Sequence, residues 1–192
     1  MSTLLSAEDQ RRVLREARRA LAETLAGCPP SPPPMDGVFA LRAGIFVSLH
    51  RYGALRGCIG YTEADRPLGN LVGRFAIASA TQDPRFPAVT AAELGECDIE
   101  VSVLGPIEPV AEPAADPSAI VVGRHGLVVE QSWHRGLLLP QVATEYGWDR
   151  ETFLDHTCMK AGLPRDAWKT GARVFRFEAD VFGELSLETR RA

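Results

Sequence analysis

The sequence predicts an α+β chain with two lobes, built on mainly antiparallel or mixed sheets flanked by a few helices. Three observations predict it. Strand-like runs follow one another through short glycine-containing links, as hairpins do. Few segments carry a helical period, and they do not alternate regularly with strands, which argues against a doubly wound sheet. A stretch at 105–118, with Pro106, Pro109, Pro113 and Pro117, reads as an exposed crossing between a larger lobe and a smaller one.

Each element has its own signal. Residues 6–26 read as a helix: Ser6 caps it, Val13, Leu14, Ala17, Leu21 and Leu25 share one face, and Gly27 stops it. Its arginines are interleaved with Glu8, Glu16 and Glu23, the pattern of a solvated face with i,i+3 and i,i+4 pairs. Residues 28–36, with Pro29, Pro30, Pro32, Pro33 and Pro34, form a stiff extended linker. Three strands are expected at 38–42, 45–50 and 54–60, as a meander. Asp65 and Pro67 open a second helix with Leu68, Leu71, Val72, Phe75 and Ala76 as its apolar stripe, ending before Asp83-Pro84. Residues 83–96 read as loop, and 97–104 as a strand with strict alternation. Strands are expected near 119–123 and 126–133 around Arg124-His125, and Leu137 to Leu139 is a short apolar run. Asp149 caps a helix that Gly162 ends, and one strand covers 173–183.

The composition is that of an ordinary globular protein, 45% hydrophobic and 24% charged. A net charge of −4 gives no electrostatic grip on nucleic acid. Cys28, Cys58, Cys97 and Cys158 form no C-x-x-C pair and no metal knuckle, so neither a disulfide scaffold nor a metal site is expected, and no cofactor is implied. Neither a signal peptide nor an apolar run of membrane-spanning length is present, so a reduced cytoplasmic protein is expected, away from membranes.

Leu55-Arg56-Gly57-Cys58-Ile59-Gly60 is the most unusual segment. Read as a regular strand, it puts Leu55, Gly57 and Ile59 on the core face and Arg56, Cys58 and Gly60 on the other. A guanidinium beside a thiol favours the thiolate, so this arrangement predicts a thiol of lowered pKa. Glycine inside a strand marks close approach of a ligand or another backbone. A reactive or ligand-facing thiol and a cysteine packed as a small hydrophobe, with the glycines at a bulge, are the two readings. Asp98, Glu100 and Ser102 share one face of their strand, which suits a solvated sheet. If that strand neighbours 54–60, Glu100 is placed to act as a base or to pair with Arg56. His125 sits in a glycine-bracketed turn, either as a local hydrogen-bonding group or as a base for Cys58 in the Cys–His manner. Cys158 falls on the core face of its helix and reads as a packed thiol.

LRGCIG at 55–60 resembles the signature of the AMMECR domain family, the A member of the AmmeMemoRadiSam protein set. Further blocks resemble it in order: Arg66-Pro67-Leu68, 85–106, 123–130, 137–164 and Ala167-Trp168-Lys169. Together they cover about residues 8 to 184. The resemblance implies a single domain of two lobes over 1–192, with a cleft near the RGCIG strand. It carries over Arg56, Gly57, Cys58, Ile59 and Gly60 as the signature positions; on residue chemistry the candidate catalytic residues are Cys58, Arg56, His125 and Glu100, with Gly57, Ile59, Gly60 and Ser102 as candidate ligand contacts. It also implies Memo-like and radical-SAM proteins as partners, but names no reaction. Two functions therefore compete: an enzyme or enzyme component acting on a small molecule or protein-linked group, and a non-catalytic binding or adaptor module.

Overall fold

The computed structural model describes residues 4–113 and 116–189, so residues 114 and 115 of the proline-rich crossing lie outside the described residues. In chain order the elements are α1 (Ala7–Leu25), β1 (Ile45–Arg51), β2 (Ala54–Tyr61), α2 (Gly69–Thr81), β3 (Cys97–Leu104), β4 (Glu108–Val110), β5 (Gly126–Gln131), β6 (His134–Leu138), α3 (Pro140–Glu145), α4 (Arg150–Lys160), β7 (Arg173–Phe177), β8 (Ala179–Gly183) and α5 (Glu184–Thr189). The strands form two four-stranded sheets, ordered β2-β1-β3-β8 and β4-β7-β5-β6, so the fold is α+β. The chain divides into two compact units, one of residues 1–104 and 180–192, the other of residues 105–179.

In the first unit, β1 pairs antiparallel with β2 on one side and β3 on the other, which leaves β2 at the sheet edge. Side chains alternate along a strand. Ile45, Val47 and Leu49 of β1, with Ile99, Val101 and Val103 of β3, therefore share one face and are fully buried. The α1 stripe Val13, Leu14, Ala17 and Leu21 and the α2 stripe Leu71, Val72, Phe75 and Ala76 belong to the same core. The Ser6 hydroxyl caps α1 by accepting the Asp9 N–H at 3.1 Å. Of the five α1 arginines, Arg11 and Arg19 make the i,i+3 and i,i+4 pairs expected of a solvated face, with Glu8, Glu16 and Glu23. Arg12 and Arg15 pair further off, with Asp36 and Glu8, and Arg18 reaches Glu184 (2.9 Å) and the carbonyls of Leu94 and Cys97.

The second unit packs Phe153, Leu154 and Cys158 of α4 with Leu127, Val129, Val174 and Trp168. Cys158 is fully buried there, a packed thiol.

Several expectations are corrected. Residues 38–40 do not extend: Gly37, at a φ of 56°, opens a 3-10 turn over Gly37–Ala40 that turns Val38 and Phe39 into the core, and of the expected strand only an isolated bridge from Arg42 to Pro67 forms. Asp65 does not cap α2; the helix starts beyond Leu68. The proline tract is no free linker. The Ser31 N–H and hydroxyl donate to Glu23 at 2.6 and 3.0 Å, and an added Cβ at Gly69 would strike the Pro34 carbonyl. No strand forms near 119–123: a 3-10 turn (Pro117–Ala119) ends there, and Arg124 and His125 donate their N–H groups back to the Val121 carbonyl in a tight turn. Residues 173–183 are two strands broken at Glu178, one in each sheet.

Candidate functional site

The LRGCIG segment is β2, and its two faces do different work. Gly57 lies opposite Leu49, on the face packed by the helices. An added Cβ there would collide with the Ser79 carbonyl oxygen of α2. Gly57 is thus the gap through which a helix backbone meets a strand backbone. An added Cβ at Gly60 would strike the Phe46 ring, which lies over it from β1. Ser79 ties the helix into the sheet. Its hydroxyl, 1% exposed as a residue, accepts the Ile59 N–H at 2.9 Å and donates to the Val47 carbonyl at 2.7 Å.

A β-bulge changes the placement of Arg56. Gly57 pairs with Leu49, but the next residue of β1, His50, pairs with Leu55. Arg56 is the extra residue, and the alternation expected of a regular strand inverts beyond it. Leu55 consequently leaves the core and is 38% exposed. Arg56 does not lie beside the thiol. Its Nη1 donates to the Pro87 carbonyl at 2.6 Å, and its Nη2 donates to the Ala88 carbonyl and Glu93 at 3.3 and 3.4 Å. The side chain is 13% exposed and holds the loop that precedes β3.

On the face away from the helices, Cys58, Ser48 and Glu100 form a row. Ser48 pairs with Cys58 on one side and Glu100 on the other. Directly opposite residues project from the same face with Cβ atoms about 5 Å apart. The neighbouring rows are Gly60–Phe46–Ser102 and Leu55–His50–Asp98, with Ser102 buried. Burial pushes the Cys58 thiol up, and nearby Asp83 and Glu100 push the same way; the Ser48 hydroxyl and the Arg85 guanidinium pull it down. The net direction is upward, opposite to that expected of a thiol beside Arg56. Burial, aided by the Glu184 carboxylate, likewise raises the Asp98 carboxyl, while the Leu185 N–H and His50 oppose this.

The groups that sequence reasoning missed are Ser48, Ser79, Asp83 and Arg85. The β2 edge at Cys58 is capped by side chains: its N–H donates to Asp83 at 2.8 Å, and Arg85 reaches its carbonyl at 3.4 Å. The Asp83 side chain is 3% exposed. Arg85 and the N–H donors of Cys58 and Arg85 hold its carboxyl far below the usual carboxylate range. The available signal was an acid and a base two apart directly after a helix, followed by a run of apolar and small residues at 86–92.

His125 belongs to the second unit. It is 7% exposed, and its Nδ1 accepts the Val121 N–H at 3.0 Å. Burial, with Arg176 and Arg124 nearby, pushes its pKa down and keeps it neutral. The ring thus serves its own turn as a local hydrogen-bonding group. Among the described residues no three His, Cys, Asp or Glu side chains converge as metal ligands, and no helix is long and apolar enough to cross a membrane.

Fold and site together define an α+β protein of two antiparallel sheets, with an edge-strand cysteine set in a polar row. Residues 14–182 match the AMMECR1 family, and the chain belongs to it. It is 51% identical to a Methanothermobacter thermautotrophicus protein, covering 94% of this chain and 96% of that one. It is 44% identical to a Methanocaldococcus jannaschii protein, covering 95% and 93%. The crystal structure of an uncharacterised Pyrococcus horikoshii protein aligns with a TM-score of 0.88 at 42% identity, over 96% of this chain and 95% of that one.

Proposed function

We propose that the protein is an enzyme or enzyme component that acts through the polar sheet face at Cys58, on a small molecule or a protein-linked group. The observation that carries this reading is the row Cys58–Ser48–Glu100, with Arg85 reaching the Cys58 carbonyl at 3.4 Å. Packing accounts for Gly57 and Gly60; it does not account for a thiol, a hydroxyl and a carboxylate in register. A thiol with a raised pKa rests protonated near neutrality and needs a base when it reacts. Glu100, one strand beyond Ser48, fills that role by accepting the thiol proton through the Ser48 hydroxyl. Ser102 and the Gly60 backbone border the row and would contact the bound group. Unpaired cysteines fit work in the cytoplasm, and the family resemblance supports Memo-like and radical-SAM proteins as partners in an AmmeMemoRadiSam pathway.

The test is metabolite profiling of a deletion strain complemented with wild type, Cys58→Ser or Glu100→Gln. A compound that accumulates on deletion, and is cleared by wild type but by neither variant, is the expected result. Full rescue by Cys58→Ser removes Cys58 as a reacting group. A second reading, a binding or adaptor module, is favoured by one observation: Arg56 and both signature glycines already have packing roles. It expects partner capture to survive Cys58→Ser unchanged.

A further inference from the structure

The cation that reaches the Cys58 peptide is Arg85; the Phe86 ring lies against one face of its guanidinium, with the ring centroid 5.4 Å from Cζ, and its anchoring leaves the Nη1 edge open. Nε and Nη2 donate to the two oxygens of Asp83 at 2.9 and 2.6 Å, and Nη2 also reaches the Cys58 carbonyl. Asp83 in turn accepts the Cys58 N–H and, at 3.1 Å, the Arg85 N–H. A buried carboxylate thus ties the guanidinium to the same peptide that carries the thiol, so its rotamer freedom is already lost on folding. Nη1 makes no hydrogen bond among the described residues, and the side chain is 54% exposed. Arg56 offers nothing comparable: its Nη1 and Nη2 are both taken up by the 87–93 loop.

We infer that Arg85, positioned by Asp83, is the group that receives an oxyanion of the substrate, a carboxylate or phosphate, beside Cys58. This rests on the Cys58-centred reading above and names its substrate class. A guanidinium whose inner N–H groups are fixed presents its outer ones in a set direction, the arrangement that suits planar or tetrahedral oxyanions. Asp83 acts as a positioning residue, since it touches Arg85 and the Cys58 peptide rather than the sulfur.

The experiment compares alkylation of the folded protein by iodoacetate, an anion, and by iodoacetamide, its neutral counterpart, at one pH. Modification is read at each cysteine by mass spectrometry. Exposed Cys28 is the internal reference, and Cys97 and Cys158 are buried. Normalised to Cys28, the iodoacetate-to-iodoacetamide rate ratio at Cys58 is expected to fall roughly three- to tenfold in Arg85→Gln. It is expected to hold in Arg56→Gln and to return in Arg85→Lys, which keeps the charge where loss of the cation strands the buried Asp83. The wild-type preference should weaken with added salt. An unchanged ratio in Arg85→Gln, or an equal fall in Arg56→Gln, overturns the inference and leaves the Cys58 reading standing. A Cys58 that neither reagent modifies in the folded protein overturns both.

Discussion

The two faces of β2 differ in what their residues answer to. On the helix side, Gly57 and Ile59 answer to packing: one clears the Ser79 carbonyl, and the other gives its N–H to the Ser79 hydroxyl. On the far side, Cys58 lies in register with a hydroxyl and a carboxylate, under the field of an arginine fixed by a buried aspartate. The same six-residue signature therefore carries two messages. Its glycines describe how the sheet is built, and its cysteine describes what the sheet presents.

Substitutions separate the two. Gly57→Ala should have the largest effect, because the new methyl meets helix backbone that cannot rotate away; about 3 kcal/mol is expected. On a unit of this size that lowers Tm by roughly 10–20 °C, measured by thermal unfolding. A loss under 1 kcal/mol would mean that α2 shifts freely and that the two faces are not distinct in kind. Ser79→Ala removes the link between the Ile59 N–H and the Val47 carbonyl and should cost about 1–3 kcal/mol by urea unfolding.

Asp83→Asn sharpens the comparison through pH. The folded carboxyl titrates below its unfolded value, so its stabilisation is fully present above the unfolded pKa near 4 and is lost as pH falls toward the folded one. Wild-type Tm should therefore decline as the solution is acidified from about pH 5. The Asn variant should start lower at pH 7 and decline less steeply over the same window. Parallel Tm curves for the two proteins would mean the carboxylate contributes no acid-sensitive stability. The smallest effect on stability is expected for Cys58→Ser, within about 0.5 kcal/mol, since the thiol is only partly buried and already faces the Ser48 hydroxyl. In the wild type, Cys58 alkylation should accelerate with pH through a midpoint above the ordinary thiol range. A midpoint below it would reinstate a resting thiolate.

The core was legible in the sequence because its signals are periodic. The α1 stripe and the alternation of 97–104 lie in the chain and reappear in space. The site was legible only in part. Cys58 and Glu100 were visible as residues, and β3 lies one strand from β2, with Ser48 of β1 between them. The glycines of 55–60 admitted a bulge but not its place at Arg56, and that one inserted residue moves the guanidinium away from the thiol. Asp83 and Arg85 belong to a loop that is silent until α2 brings it to the β2 edge. The run 173–183 keeps an unbroken period of two across Glu178, so alternation gave no sign that the strand changes sheets there.

The capping of Cys58 has a consequence for the molecule's colloidal behaviour. An outermost strand offers bare amide and carbonyl groups on which a second chain can template, the first step toward aggregation. At its centre β2 denies that template, because a carboxylate and a guanidinium occupy the hydrogen-bonding positions an incoming strand would use. The pair that holds the Cys58 peptide is also a gatekeeper, and a variant that loses it risks insolubility before it reveals anything about chemistry.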